Sequence, residues 1–547
     1  MSTADAREEN GPAQPGRVPF RLWIGVTGHR LLDNIDLLAA CVETTLARVQ
    51  TWIPATQNTE LVLGVISSLA EGADRLVARE VLTNHYSVLE VPMPLPKGEY
   101  VSDFTSTESK HAFESLLRRA TTVVPAPRVQ SREQGYAAAG QYVLERCDVL
   151  IALWDGKPAR GPGGTATIVE RARSSVPVIW INTENPHDVR VEGILPIALD
   201  EFLGIAEYNR QSIRPHVFAN ALESARHELA RRNPNANVLS QRRYAEWFLP
   251  YFVRADLLAL RFQRVFRRLL NVVLLLTVSA VTVIAYGAAF APGDSAFAWA
   301  EFGLLVTAGI IVVAGRHYRW HDRWIAARFF AERLRAGYFL ALAGVSRSPG
   351  HTRRRNEDSA RRTSRSGASD KHLIAWTERA YNEVWAQRPT FDNEACDVGS
   401  LRHYLSRAWV DEQRRFHEQK SERFYDLHRR SERIVATLFV VATSAALIHA
   451  MELFGRGSVT SRLLVVAAIF LPAIAGSIGA IDLEREHRRH AERYATAAER
   501  LGDSSERLAS VADLDDLRRL AQDVERQSLR ESRAWSSVMQ FHDFELK

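Results

Sequence analysis

Residues 146–173 read RCDVLIALWDGKPARGPGGTATIVERAR, and this order of residue types predicts a buried strand, a glycine-rich loop and a helix. Val149–Trp154 is an unbroken apolar run of strand length, which is typical of a strand covered on both faces in a parallel sheet. Asp155 and Gly156 end the run. The stretch therefore predicts an α/β fold built around this strand.

The loop after this strand has the composition of a phosphate-binding turn. Gly161, Gly163 and Gly164 let the backbone approach a ligand closely, and Thr165 and Thr167 are expected to cap the helix. A helix N-terminus favours an anion, because its unpaired N–H groups and the helix dipole both attract negative charge. The alternative is a turn that binds nothing, and the loop alone leaves both interpretations open.

Length and composition limit the classes of protein to consider. At 547 residues the chain is expected to form two to four domains. Its three cysteines lie far apart without CxxC pairs, which argues against a disulfide framework or a structural zinc site, and we expect no metal. Residues 1–17 lack an apolar core, so we interpret them as a disordered tail and not as a secretory signal. The formal net charge of +6 is attributed to arginines beside apolar segments.

Strands alternate with helices from residue 18 to about residue 205. The predicted strands are 22–26, 61–66, 87–91, 121–124, 149–154 and 176–181, and helices are predicted around 108–119 and 135–146. This alternation predicts a doubly wound, mainly parallel sheet, which binds ligands beyond the carboxyl ends of its strands.

Three of these strand ends carry small and polar residues. Because the ends of parallel strands meet at one edge of a sheet, we expect them to form a pocket for a nucleotide-type ligand. The candidate ligand-binding residues are Gly25, Thr27, Gly28, His29, Arg30, Ser67, Leu69, Ala70, Glu71, Asp74, Asp155, Gly163, Gly164 and Thr165.

These stretches resemble the SLOG superfamily, in the motifs GVTGHR (25–30), LAEGADRL (69–76) and PGGTAT (162–167). The superfamily is Rossmann-like and unites Smf/DprA proteins, LOG phosphoribohydrolases and nucleotide-sensing domains of bacterial conflict systems. Residues 162–170, PGGTATIVE, are also similar to the LOG motif PGGxGTxxE; Glu170 matches its glutamate, but Ala166 replaces its last glycine. The resemblance implies nucleotide binding, and the departure at Ala166 favours sensing over cleavage, so no catalytic residue is assigned.

The second half of the chain contains two pairs of apolar segments, 269–293 with 296–315 and 434–453 with 463–481. The first segment has no charged residue and is long enough to span a hydrocarbon core of about 30 Å. Glu301 lies near the start of the second segment, where it suits an interface or a pore mouth. Arginines flank both pairs, and the turn at 291–301 has none, so we expect both termini in the cytoplasm of a multi-pass inner-membrane protein. Arg456 and Arg462, in the second turn, weaken the contrast.

Each pair is followed by a helix that contains the residues Ala-Glu-Arg-Leu, at 331–334 and at 498–501, which favours a duplicated unit. Apolar pairs with long basic helices resemble the SLATT family of two-transmembrane effector modules, which accompany SLOG or nucleotide-synthesising domains in bacterial antiviral systems. The Ser/Arg-rich residues 346–371 are interpreted as a solvated linker near anionic lipid, without a specific nucleic acid partner.

The predicted organisation is a tail (1–17), a SLOG-like domain (18–205), a helical connector (206–263), a first membrane hairpin with its basic helix (264–345), the linker (346–371), a helical region (372–430), a second hairpin and helix (431–505) and a C-terminal helix (506–547).

These resemblances imply a membrane effector of antiphage defence. Its ligand is expected to be a second messenger, a cyclic ADP-ribose isomer or a cyclic oligonucleotide, made by a separate enzyme. We expect the phosphates on Gly28, Gly163, Gly164 and Thr165, and hydrogen bonds from base or ribose to Glu71 and Asp155. Binding is expected to drive homo-oligomerisation, membrane permeabilisation and abortive infection, with no cofactor. The alternatives are a LOG-like phosphoribohydrolase at the membrane surface and a constitutive channel or transporter.

Overall fold

The computed structural model describes residues 15–84, 86–158, 164–193, 199–232, 239–345, 368–389, 397–455, 457–484 and 487–540. Residues 1–14 of the predicted tail, Gly161 and Gly163 of the glycine loop, and residues 346–367 of the linker therefore lie outside the described residues. The chain divides into two compact units: unit 1 contains residues 1–212 and 350–387, and unit 2 contains residues 213–349 and 388–547.

The strands of unit 1 form one seven-stranded sheet. They are β1 (Phe20–Gly28), β2 (Leu61–Ile66), β3 (Val88–Pro92), β4 (Thr122–Val124), β5 (Val149–Trp154), β6 (Val178–Asn182) and β7 (Val189–Glu192). Their order in the sheet is β4-β3-β2-β1-β5-β6-β7, and every pair is parallel except β6 with β7. The predicted mainly parallel α/β sheet is confirmed.

The helices, in chain order, are α1 (Ile35–Gln50), α2 (Ala73–Val81), α3 (Lys97–Val101), α4 (Thr107–Arg118), α5 (Arg132–Arg146), α6 (Thr165–Arg173), α7 (Leu199–Arg210), α8 (Pro215–Arg232), α9 (Leu239–Phe290), α10 (Ser295–Tyr318), α11 (Trp320–Leu342), α12 (Ala368–Ala386), α13 (Val398–Leu405), α14 (Asp411–Ala450), α15 (Val459–Glu484), α16 (His487–Ala509) and α17 (Leu514–Gln540). A π-helical turn, Ser406–Val410, joins α13 to α14.

The central strands are buried because helices cover both faces of the sheet. All six residues of β5 are buried, and β1 beside it is buried along most of its length. The strand β7 was not predicted, and the expectation that residues 176–181 form the last strand of the sheet is wrong. The residues of β7 are mostly half-exposed, and its two valines alternate with Arg190 and Glu192. This strand therefore lacks the continuous apolar run that marks the other strands.

The helix α12 completes unit 1 although it lies far along the chain from the sheet. Its Glu383 pairs with Arg21 of β1, with 2.8 Å between Oε1 and Nη2. Its Arg379 bonds to Asp148, which precedes β5, and to Glu201 of α7, with 2.6 Å to the Glu201 carboxylate. These contacts place α12 at the amino ends of β1 and β5.

Unit 2 contains two helical modules of the same design. In the first module (239–342) α11 packs back along α9 and α10 pairs with α9; in the second (411–509) α16 packs back along α14 and α15 pairs with α14. The two Ala-Glu-Arg-Leu stretches lie in the third helix of each module, at 331–334 in α11 and at 498–501 in α16. The shared helix order and the shared position of this motif support a duplicated unit.

Among the described residues, four helical segments are long and apolar enough to cross a membrane, as predicted: Arg242–Phe290, Ser295–Leu342, Val398–Ala450 and Val459–Gly479. Residues 239–263 of the predicted connector (206–263) are continuous with the first span in one helix, α9, and α8 precedes them. Large apolar side chains remain exposed along these helices, among them Leu275, Ile310, Val313, Val440 and Leu447. Such exposure is expected of surfaces that face lipid tails, so the chain has the features of a multi-pass membrane protein.

Candidate functional site

The sheet order places a topological switch point between β1 and β5. From β1 the chain builds β2, β3 and β4 toward one edge, and it then returns to the other side of β1 to build β5 and β6. Open α/β sheets bind ligands in the crevice beyond the carboxyl ends of the strands at this point. Thr27 and Gly28 pair there with Ala152 and Leu153, so residues 29 and 155 leave neighbouring strands at the same level.

His29 and Asp155 meet across this switch point. His29 Nε2 lies 3.0 Å from Asp155 Oδ1 and 3.1 Å from the Asp155 backbone nitrogen, so the imidazole accepts the amide hydrogen when Nε2 is unprotonated and donates to the carboxylate when it is protonated. Asp155 Oδ1 also accepts from the Lys157 N–H at 3.0 Å. Burial raises the pKa of Asp155, but the hydrogen bonds from Lys157 and His29 together lower it by more. The pKa of Asp155 is therefore below its ordinary value.

The loop after β2 is held by a buried serine. Ser67 Oγ donates to Asp74 Oδ2 at 2.9 Å and accepts the Leu69 N–H at 3.0 Å. These bonds accompany a left-handed backbone at the fully buried Leu69, with φ of 58°, which is unusual for a residue other than glycine. Burial raises the pKa of Asp74 to about 6, although hydrogen bonds from Ser67 and the Ala70 backbone act in the opposite direction.

Glu71 accepts hydrogen bonds from the loop that precedes α4 and from the first turn of that helix. Its Oε1 accepts the Thr105 N–H and the Thr105 Oγ1 hydroxyl, both at 3.0 Å, and also the hydroxyl of Ser109. Burial raises the pKa of Glu71, but these three bonds outweigh it and lower the pKa overall. Glu71 therefore orders the edge of the crevice, whether or not its carboxylate also contacts a ligand.

A second polar cluster at this edge joins the predicted Arg30 to Tyr136, Asp103 and Arg132, which were not among the predicted site residues. The Arg30 guanidinium lies 5.3 Å from the centre of the Tyr136 ring, and the Tyr136 hydroxyl donates to Asp103, which also pairs with Arg132. Tyr136 lies in the first turns of α5, which follows β4. The available signal was this position, because a helix that follows a parallel strand begins at the carboxyl edge.

Close packing accounts for several of the predicted glycines. A Cβ on Gly25 would lie 2.8 Å from Cys147 and Val143, and one on Gly28 would lie 2.4 Å from the Ala73 Cβ. Gly72 has φ of 75° and lies against the carbonyl oxygens of residues 29 and 30. These glycines let α5 and α2 approach β1, and that requirement holds without any ligand.

The start of α6 differs from the prediction in one respect. Gly164 is the N-cap and Thr165 is the first helical residue. Among the described residues, no side chain accepts a capping hydrogen bond from the first turn of α6. The expected caps, Thr165 and Thr167, are therefore wrong, because both residues lie inside the helix. The first-turn N–H groups find no hydrogen-bond acceptor in the described part of the chain, which is the state that favours an anion.

The two positions that matter for the LOG comparison lie on α6. Ala166 is partly buried against the hydrophobic cluster formed around β5, α5 and α6, so its methyl group serves packing. Glu170 is exposed. Among the described residues no group of three or more His, Cys, Asp or Glu side chains could hold a metal ion.

One comparison with known proteins bears on the membrane half. Residues 405–535 match the family described as SMODS and SLOG-associating 2TM effector domain 1. The match begins at the end of α13 and covers the second module and most of α17, so the predicted resemblance to SLATT effectors is confirmed for this part of the chain. No curated protein matches the chain.

Proposed function

We propose that this protein is a membrane effector of a bacterial conflict system, with a Rossmann-like, SLOG-type unit that binds a nucleotide-derived second messenger. The observation that carries the proposal is the match of residues 405–535 to a two-transmembrane effector domain whose description pairs it with SLOG. The same chain has an α/β unit with a switch-point crevice of the kind that holds nucleotides.

The ligand chemistry follows from the groups at this edge. The N-terminus of α6 at Gly164 and Thr165 is suited to a phosphate, and the Arg30 guanidinium adds a positive charge. His29 and Asp155 supply a donor and an acceptor for ribose or base. A cyclic ADP-ribose isomer or a cyclic oligonucleotide, made by a partner enzyme during phage infection, fits this combination and the SLOG resemblance.

The effector step is a change of assembly in unit 2. A ligand shifts an equilibrium only through a difference in affinity between two states, so binding must favour one arrangement of the modules. Four spans in one chain are few for a pore, and we propose that several chains combine to permeabilise the inner membrane, with both termini in the cytoplasm. Abortive infection would then follow from loss of the membrane barrier.

The test uses the full chain in detergent and in liposomes, with a panel of linear and cyclic nucleotides. A ligand at about 100 times its Kd stabilises the native state by roughly 2.7 kcal/mol, so one nucleotide class should raise the melting temperature and trigger dye release. Gly164→Arg should abolish both effects, and Gly98→Arg, at a glycine with open space around it, should retain them. Dye release that is equal without nucleotide would support a constitutive channel instead, and release of free base would support the hydrolase.

A further inference from the structure

A set of exposed arginines lies where the apolar segments of unit 2 begin and end. We define the basic collar as Arg268 of α9, Arg316 of α10, and Arg429, Arg430 and Arg433 of α14. All five side chains are exposed. Within the described residues, no carboxylate lies within ion-pair distance of any of the five arginines. Carboxylates are not scarce in the chain, since 64 of its 547 residues are Asp or Glu.

The collar lies at one end of the helical bundle of unit 2. Arg316 lines the same small cavity as Phe266 and Leu270, so the end of α10 is level with the start of the apolar part of α9. The turns of both hairpins meet at the other end, where the Arg462 guanidinium lies 6.0 Å from the Phe290 ring. Since both turns share one end, the basic flanks of both hairpins share the opposite end.

Aromatic residues accompany the collar at the same level. Tyr318 stacks on Trp320 with 5.0 Å between the ring centres, directly after Arg316. Tyrosine and tryptophan concentrate where hydrocarbon meets headgroups, because their rings are apolar and their tips are polar. When the apolar segments span a membrane, the basic collar therefore lies at the depth of the lipid phosphates.

Clustered guanidinium groups repel one another unless anions lie between them. Arg429 and Arg433 are four residues apart and share one face of α14, where like charges destabilise a helix. Guanidinium binds phosphate with two parallel hydrogen bonds, and phosphate diesters are the anions present at this depth.

We infer that the basic collar is a binding site for anionic phospholipid headgroups, and that this lipid is a partner of the protein in addition to any nucleotide. The inference depends on the membrane-spanning segments and not on the ligand of unit 1. Exposed charges at such a surface act over about a Debye length, so the interaction is sensitive to salt.

The test compares phosphatidylglycerol with phosphatidylcholine, each added to the full chain in a neutral detergent. We expect phosphatidylglycerol to raise the melting temperature and to remain bound in native mass spectra, and phosphatidylcholine to do neither. Each collar arginine should contribute about fivefold to the affinity, so the triple variant R429Q/R430Q/R433Q should bind phosphatidylglycerol on the order of 100-fold more weakly.

Two further variants keep the test independent of folding and of total charge. The variant R429K/R430K/R433K retains the charge and should retain most of the binding. The variant R518Q/R519Q/R526Q removes three arginines from α17, each paired with an aspartate three residues earlier, and should bind as wild type does. Equal binding of the two lipids, unchanged binding by the glutamine collar variant, equal loss in the α17 variant, or the same stabilisation by inorganic phosphate would each overturn the inference.

Discussion

Arg21 and Glu383 are 362 positions apart in the chain, yet Arg21 Nη2 and Glu383 Oε1 lie 2.8 Å apart. Both side chains are buried, with 3% and 6% of their surface exposed. Arg21 also donates to the Leu63 carbonyl oxygen, and Glu383 accepts a second bond at Oε2 from Arg21 Nε. This pair holds α12 against β1, the first strand of the sheet, although α12 lies between the two membrane hairpins in the sequence.

We expect Glu383→Ala to destabilise unit 1 by about 3–5 kcal/mol, because it leaves the Arg21 charge buried without its partner. The measurement is thermal unfolding of the full chain in detergent, together with hydrogen exchange of residues 375–386, which should lose protection. Asp188→Ala is the control, since it breaks the exposed pair with Arg190 and should cost at most about 1 kcal/mol. Equal effects of the two substitutions would show that α12 is not held by this pair.

The raised pKa of Asp74 predicts how the stability of the protein depends on pH. Burial raises its pKa to about 6 from an ordinary value of 3.8, so between about pH 4 and pH 6 the native state holds a proton that the unfolded chain has lost. Stability therefore falls as pH rises through this window, by at most about 3 kcal/mol. Asp74→Asn should remove this loss and make the protein more stable than wild type at pH 7, and nearly equal to it at pH 4.

Thermal unfolding at pH 4 to 7.5 measures this difference. Glu170→Gln, which neutralises an exposed carboxylate on α6, is the matched control and should follow the wild-type curve. If the Asp74→Asn curve ran parallel to wild type across the range, the raised pKa of Asp74 would be refuted.

The sheet was predictable from sequence, because buried parallel strands are continuous apolar runs bounded by turn residues, as Val149–Trp154 shows. The convergence of residues 29 and 155 was also predictable, since parallel strands end at one edge. The docking of α12 was not, because helical periodicity identifies a helix without identifying the surface on which its Arg379 and Glu383 find partners. Tyr136 and Asp103 were missed for a similar reason: they come from loops and helix starts whose geometry depends on the finished sheet.

Gly28 shows a further limit of sequence reasoning, since a glycine needed for packing looks the same as one needed for a ligand. A Cβ at this position would lie 2.4 Å from the Ala73 Cβ and 2.6 Å from the Leu153 oxygen. We expect Gly28→Ala to destabilise unit 1 by about 1–3 kcal/mol even without nucleotide. Gly98→Ala, in the helix α3 with nothing within 4 Å, should be neutral or stabilising. Thermal unfolding without ligand measures both variants. An unchanged melting temperature for Gly28→Ala would show that packing does not require this glycine.

The first membrane hairpin offers a matched pair of glycines. A Cβ on Gly287 of α9 would lie 2.6 Å from the Phe297 ring of α10, and one on Gly309 of α10 would meet nothing within 4 Å. Membrane helices approach closely through small residues, because no hydrophobic force drives them together within lipid. We therefore expect Gly287→Val to separate α9 from α10 at the turn, with a loss of about 1–3 kcal/mol, and Gly309→Val to leave stability nearly unchanged. Thermal unfolding of the full chain in lipid nanodiscs measures the two variants side by side, and equal melting temperatures would mean that the hairpin is not packed through Gly287.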